Sequence, residues 1–394
     1  MRRLVLLLGA AAACVDDRQG PAGAPSGGVA GTAGQGGDAI SPVNPATGLR
    51  LAAFPAVPPL PEWPDNPPGT AKKELGRALF WDSRLSGSGT AVCSNCHLAT
   101  TNFQSATPLD TPDRSYPDLH PTLPRHTPSL VNVVYAPMMR WDGSHFTDLA
   151  DMMVLPFAEP NMNLSGLPVS RGTEVDLAGA QAALRFKVTE EIPGYVALFQ
   201  AAFSEDVRTA SPERVWRMAG QALAVFIRVA VSRDAPFDRW NAGDDAAISP
   251  GAQRGAALFD GRAGCASCHS GPFLSDFEFH NISTAPPDAT GKRPDDGRFL
   301  VTGREEDRGK FLTPMLRGVA RTSPYLHDGS LLGIREVVRH KTGPTRQLDP
   351  LHDPVLDRLP ALSDGDLDDL VAFLKSLDGQ PIPLPELTPP ARLP

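Results

Sequence analysis

The sequence predicts a mostly α-helical protein built as two similar lobes with long connecting loops, and three observations predict it. The pentapeptide Cys-x-x-Cys-His occurs twice, at 93–97 and at 265–269. Each copy follows a matching run, Gly76-Arg77-Ala78-Leu79-Phe80 before the first and Gly255-Ala256-Ala257-Leu258-Phe259 before the second. Helix-start signals are clear while strand signals are few. Repeats this far apart indicate duplicated units and not a solenoid.

Taken in chain order, Arg2 and Arg3 precede a short apolar run, a stretch of alanines that ends Ala-Ala-Ala, and Cys14. This is the pattern of a secretory signal with a lipoprotein-type cleavage site, 1–14, and the apolar run is too short to span a bilayer. Residues 15–59, rich in Gly, Pro, Ala and Ser, read as a flexible tether. A first lobe is expected over 60–233. Its first helix runs from Ala71 to Trp81, with Leu75, Ala78 and Leu79 on one face. A second begins at Ser211-Pro212-Glu213, Ser capping and Pro in the first turn, and its apolar pattern continues through Trp216, Leu223, Phe226 and Ile227 to about Arg233. A second lobe is expected over 234–394. Ser249-Pro250 opens the helix before its pentapeptide, and Ser363 caps a last helix through Leu367, Leu370, Phe373 and Leu374. The 41 Pro and 36 Gly imply much irregular chain between helices.

The pentapeptide is the attachment site of c-type haem. Both thiols add to the vinyl groups, and the adjacent imidazole reaches the iron. Cys93, Cys96 and His97 would hold one haem, and Cys265, Cys268 and His269 another. A redox disulfide is one rival reading. Half of a zinc site is the other, but zinc needs further Cys or His nearby. Haem c is attached outside the cytoplasm, in agreement with the export signal. The net charge of −8 carries no basic stripe of the kind nucleic acid requires. An acidic surface suits a basic electron-transfer partner.

Beyond the tether, the sequence resembles the bacterial di-haem cytochrome c peroxidase family, including its MauG-like branch. The resemblance rests on ELGRALFWDSRLSGSGTAVCSNCH, RHTPSLVNVVY and RWDGSHFTDL in the first lobe and on ALAVFIRVAVSRDAPFDRW in the linking helix. In the second lobe it rests on RGAALFDGRAGCASCHSGPFLSDFEFHNIS, DRGKFLTPMLRGVARTSPYLHDGSL and DLVAFLKSL. It implies two cytochrome c-like α domains with one haem each, a calcium ion near their interface, and a peroxide-driven oxidation. The first haem would be the peroxide site and the second the electron-transfer haem. Unlike ligands make sense of this, because axial ligation and burial move haem potentials over about 0.8 V.

The resemblance also suggests roles for single residues. Trp141 matches a tryptophan that lies between the haems and would couple them, or it simply packs. His120 is the candidate for a ligand that gates the first haem, against a surface-loop histidine. The family's catalytic glutamate position falls on Met162, so Glu159 becomes the candidate acid–base group or else a solvated residue. At the second haem the expected ligand position falls on Lys341, with His340 beside it; either one, or neither, would bind. His327 matches a histidine near that haem. Thr322 and Pro324 match positions whose carbonyls bind calcium, while His126 stands where the family has Asn. The expected function is peroxide reduction with electrons from a small cytochrome or cupredoxin, on the periplasmic side of an outer membrane and held there only by lipid on Cys14. The alternatives are a MauG-like or methanobactin-associated oxidase acting on a side chain of a partner protein, and a non-catalytic electron carrier.

Overall fold

The computed structural model describes residues 43–105, 125–146, 148–160, 162–166, 175–343, 348–380 and 388–394. They are mostly helical. Their strands form two short antiparallel ladders, Met138–Met139 with His145–Phe146 and Phe279–His280 with Phe311–Leu312. Among the described residues no helix is long and apolar enough to cross a membrane.

Side-chain caps start the helices where the sequence signals them. Ser211 Oγ accepts the Arg214 N–H at 3.3 Å, opening Pro212–Ile227. Ser249 Oγ accepts that of Ala252 at 3.2 Å, opening Pro250–Asp260. Ser363 and Asp366 cap each other reciprocally, at 3.2 and 2.9 Å, ahead of Asp364–Ser376. Each cap satisfies donors that a helix start leaves orphaned and contributes about 1 kcal/mol. The linking helix stops at Ile227, short of the expected Arg233. Asn132 is the reason: its N–H donates to Ala230 O at 2.8 Å, and its Oδ1 accepts the Ser232 N–H at 3.0 Å. Ala230 O and the Ser232 N–H thus find their partners in the first lobe's loop instead of in a further helical turn.

Two hydrophobic cores form. The Thr70–Trp81 helix packs on Pro212–Ile227 in one, with Phe80 and Phe226 ring centroids 5.2 Å apart. Pro250–Asp260 packs on Asp364–Ser376 in the other, where Phe259 and Phe373 are 4.9 Å apart. The two repeat glycines explain the likeness. A Cβ at Gly76 would lie 2.0 Å from Ala222 O and 2.8 Å from Phe226 Cβ; one at Gly255 would lie 2.0 Å from Asp369 O and 2.8 Å from Phe373 Cβ. Each glycine lets its helix backbone touch the partner helix one turn before a core phenylalanine.

The chain ends depart from expectation. The flexible tether does not extend through 43–59. Phe54 is buried edge-on to Phe237, their centroids 5.9 Å apart. Asn241 Oδ1 accepts the Leu51 N–H at 2.7 Å, and Arg50 is ion-paired with Asp245. This segment therefore belongs to the second core. Cys14 and the rest of the signal and tether lie outside the described residues. At the other end, residues 388–394 lie on the first lobe and not the second: Arg77 donates to Thr388 O at 3.0 Å, and Arg84 to Pro394 O at 2.8 Å.

Gly255→Ala should lower unfolding stability by about 1–3 kcal/mol, the usual cost of overpacking, because the opposing atom is a backbone carbonyl that cannot rotate away. Gly76→Ala should cost as much. Denaturant unfolding of each variant measures this, and a loss under about 0.5 kcal/mol in both would refute the close-packed repeat.

Candidate functional site

Both pentapeptides are built the same way. In the first, a one-turn helix Cys93–Cys96 brings the His97 N–H onto Cys93 O at 2.9 Å. The chain then reverses through Asn102 and Phe103, at φ 53° and 57°, and returns Phe103 O to His97 Nδ1 at 2.8 Å. In the second, Gly264 at φ 68° leads into a 3-10 turn, Cys265–Ser267. The His269 N–H again bonds to the first cysteine's carbonyl at 2.9 Å. Leu274, at φ 53°, returns its carbonyl to His269 Nδ1 at 2.9 Å. A carbonyl only accepts, so in both rings Nδ1 carries the hydrogen and Nε2 is left as a lone pair.

The electrostatics agree with that tautomer. Burial pushes His97 down to about 4 despite the Phe103 bond. Burial, then the charge of Lys341, pushes His269 down to about 3. Burial also drives the Cys93 thiol up to about 12 and Cys265 up to about 11. Each motif therefore offers one neutral imidazole, as iron ligation needs, and protonated thiols, as addition to vinyl groups needs. A zinc site would need thiolates and further ligands. Among the described residues, one group of three potential ligands lies within 4.8 Å, Cys268, Asp276 and His280. It takes its only sulfur from the second motif, so zinc there would compete with haem for Cys268. The donor sets fit haem c.

Trp141 sits at the seam between the lobes. Its Nε1–H donates to His126 O at 2.7 Å, and its carbonyl accepts the Leu312 N–H at 2.8 Å. His126 N–H in turn donates to His327 O at 2.7 Å, and the His327 ring stacks on Phe311 with centroids 3.8 Å apart. Arg125 closes the seam. It is bidentate to Asp295 at 2.7 and 2.9 Å and reaches Asp142 at 2.5 Å. Arg298 adds bonds to the carbonyls of Asp142 at 2.7 Å and Gly143 at 3.0 Å.

The family model for di-haem cytochrome c peroxidase matches residues 70–246. The methylamine utilization protein MauG of Methylorubrum extorquens is 34% identical over 331 residues, covering 82% of this chain and 83% of the relative. The chain belongs to the di-haem cytochrome c peroxidase family. The cytochrome-c peroxidase IdrP1 of Denitromonas iodatirespirans is also 34% identical, over 351 residues, covering 79% of this chain and 83% of the relative. A solved MauG-like protein associated with microbial copper homeostasis superposes with a TM-score of 0.68 at 29% identity, covering 86% of this chain and 98% of its own. Membership implies an oxidoreductase with two haems c.

Measured against this di-haem family, the remaining candidates fall unevenly. His120 lies outside the described residues. Glu159 is engaged by Arg140, one residue before Trp141, at 2.5 Å. Met162 is buried, its carbonyl accepting the Gly87 N–H at 2.8 Å. His340 and Lys341 lie in the last turn of the Ile334–Thr342 helix. Burial lowers the Lys341 ammonium below the ordinary lysine value, and the Cys265 and Cys268 thiols are near enough to oppose the shift. Lys341 therefore lies near the second motif. The carbonyls of Thr322 and Pro324, expected as ligands, both accept hydrogen bonds from Gln104 Nε2, the second at 2.8 Å.

Several residues that matter here were not singled out by sequence. Arg125, Asp142, Asp295 and Gln104 carry no local pattern; only their nearness to RHTP, RWDGS and the first motif hinted at them. Asp276 and His280, spaced like one helical turn, form a cluster with Asp353 beside Cys268, with His280 bonded at 2.9 and 2.5 Å.

Burial pushes Asp142 and Asp295 up, but the charge and hydrogen bonds of Arg125, with the Ser144 and Gly297 N–H groups, hold both below the ordinary carboxyl value. A depressed carboxyl stabilises the fold above its unfolded pKa and loses that contribution as pH falls through its folded value. The wild type should therefore lose seam stability only below about pH 4. Arg125→Met should already be about 3 kcal/mol less stable at pH 7, because it leaves two buried carboxylates unpaired. It should regain part of that loss relative to wild type on acidification. Unfolding midpoints across pH 3–8 check this, and a constant gap between variant and wild type would refute it.

Proposed function

We propose that the protein is a peroxide-driven di-haem oxidoreductase whose first lobe receives peroxide and whose second lobe relays electrons. The observation that carries this is the duplicated histidine–carbonyl device with Trp141 hydrogen-bonded at the seam between the two copies. Bound haem would supply iron centres that activate peroxide and store oxidising equivalents at two different potentials. His97 Nε2 and His269 Nε2 would hold the two irons from one side. Phe103 and Leu274 keep each ring in the tautomer that leaves those nitrogens free. The net reaction consumes one peroxide, two electrons and two protons and yields two waters.

The acid–base group is the weakest part of the site. Glu159 would have to leave Arg140 before it could exchange a proton with peroxide. That favours slow turnover, and with it the second reading, oxidation of a side chain on a partner protein. The likeness to proteins named MauG supports the same alternative. At the second haem, Lys341 is our candidate sixth ligand, since it is half-buried and near enough to His269 and Cys265 to influence both. Burial already biases it toward the neutral amine that iron would require. Electrons would come from a small cytochrome or cupredoxin. The site of action would be the periplasm, with lipid on Cys14 as anchor.

Adding stoichiometric peroxide to the purified holoprotein and recording the Soret band tests the proposal. Rapid spectral change followed by oxidation of reduced cytochrome c supports peroxidase action. A long-lived changed spectrum with poor cytochrome turnover supports side-chain oxidation. No change leaves a mere electron carrier and removes both. His97→Ala should abolish the spectral response while the second haem stays attached; a response that persists would move the peroxide site to the second lobe. Trp141→Phe should slow electron sharing between the haems at least about tenfold, equivalent to about 1.4 kcal/mol of barrier. Stopped-flow traces at the two haem bands measure it, and an unchanged rate would confine Trp141 to packing.

A further inference from the structure

We propose that this chain fastens its two lobes without a cation, Gln104 supplying N–H donors to the two carbonyls, of Thr322 and Pro324, that calcium would otherwise hold. Gln104 is buried, 6% exposed, directly after the residue whose carbonyl fixes His97. Its main chain is locked in the first motif's loop, its carbonyl accepting from the Leu98 N–H at 3.2 Å and from Thr101 Oγ1 at 2.5 Å. Its side-chain nitrogen crosses the seam and donates to both Thr322 O and Pro324 O. Two N–H bonds of one amide group thus join the first-haem loop to a turn of the second lobe.

His126 braces the same loop from within the first lobe, and its main-chain N–H crosses to His327 O at 2.7 Å. Its Nε2 lies 3.0 Å from Ser105 O, and since a carbonyl only accepts, this nitrogen carries the hydrogen. Gly329, at φ 64°, lets the second-lobe turn close over the ring: a Cβ there would lie 3.2 Å from His126 Cδ2. Asn102 adds a neighbouring bond of the same kind, its Nδ2 donating to Gly318 O at 2.9 Å.

The chemistry of this arrangement opposes calcium. Calcium requires six to eight oxygen ligands. Here the two carbonyl oxygens expected to bind calcium are met by the Gln104 N–H groups, whose positive ends would face the ion. The nearby carboxylates are engaged elsewhere: Asp142 and Asp295 by Arg125, and Asp328 by the Ser330 N–H at 3.1 Å. A neutral clasp also spares the fold the desolvation of a divalent ion. Gln104 is therefore a positioning residue: it sets the first-haem loop against the second lobe whichever oxidation the protein performs.

The test uses the holoprotein, dialysed free of loose metal. Wild type should contain well under one calcium per chain by elemental analysis. Its thermal midpoint and its resting and reduced haem spectra should be the same in millimolar calcium and in EGTA, within about 1 °C for the midpoint. Gln104→Glu places an anionic oxygen beside the two carbonyls and should gain a calcium-dependent rise in midpoint. Gln104→Met should lower the midpoint by a few degrees, on the order of one lost pair of buried hydrogen bonds, equally in calcium and in EGTA. Stoichiometric calcium in the wild type, with a midpoint or spectrum that EGTA alters, would overturn the proposal even if neither variant folds. So would a Gln104→Met protein as stable as wild type.

Discussion

Everything at the candidate site depends on one hydrogen bond made twice, from a histidine Nδ1–H to a main-chain carbonyl. It sets the tautomer, holds the ring plane and aims the free nitrogen. The cost is a non-glycine residue at positive φ in each lobe, Phe103 at 57° and Leu274 at 53°. Such conformations cost on the order of 1–3 kcal/mol and persist only where surroundings over-determine them. The surroundings do so here, for both side chains are fully buried, one in each core. The same packing that makes a lobe thus bends its loop so that the carbonyl reaches the imidazole. The glycine-mediated helix crossing beneath each motif gives both loops an equivalent floor.

Two lobes with good sites would be of little use unless their relation were fixed. Among the described residues, directional polar bonds carry much of that relation, beside ring contacts such as Tyr135 on Phe273. Arg125 joins Asp142 to Asp295, Gln104 joins the first motif's loop to the Thr322–Pro324 turn, and Trp141 is bonded on one side to His126 and on the other to Leu312. Polar seams are directional, so they specify register more sharply than hydrophobic contact does. The electron relay proposed through Trp141 would depend on that register.

The parts legible in sequence were those encoded by local physics. Ser211, Ser249 and Ser363 announce their helices because a cap needs only neighbours in the chain. The two Cys-x-x-Cys-His motifs carry their chemistry within five residues, and the Gly76 and Gly255 runs betray the duplication because close packing demands glycine there. What escaped was set by distant partners. The linking helix stops at Ile227 because Asn132 captures the following backbone. Phe54 lies in a stretch whose composition suggests a tether, yet it fills a space left by Phe237 and Phe259. Gln104 looks like any loop glutamine until the Thr322 and Pro324 carbonyls come to face it. Glu159, chosen for its nearness in sequence to Met162, proved to be engaged with Arg140.

The most direct measurement is the haem stoichiometry of the exported protein, by pyridine haemochrome absorbance together with denatured intact mass. Two haems per chain, both surviving acid–acetone extraction because thioethers hold them, are what the paired motifs require. A colourless protein, a single macrocycle, or haem that extracts freely would contradict the account at its root.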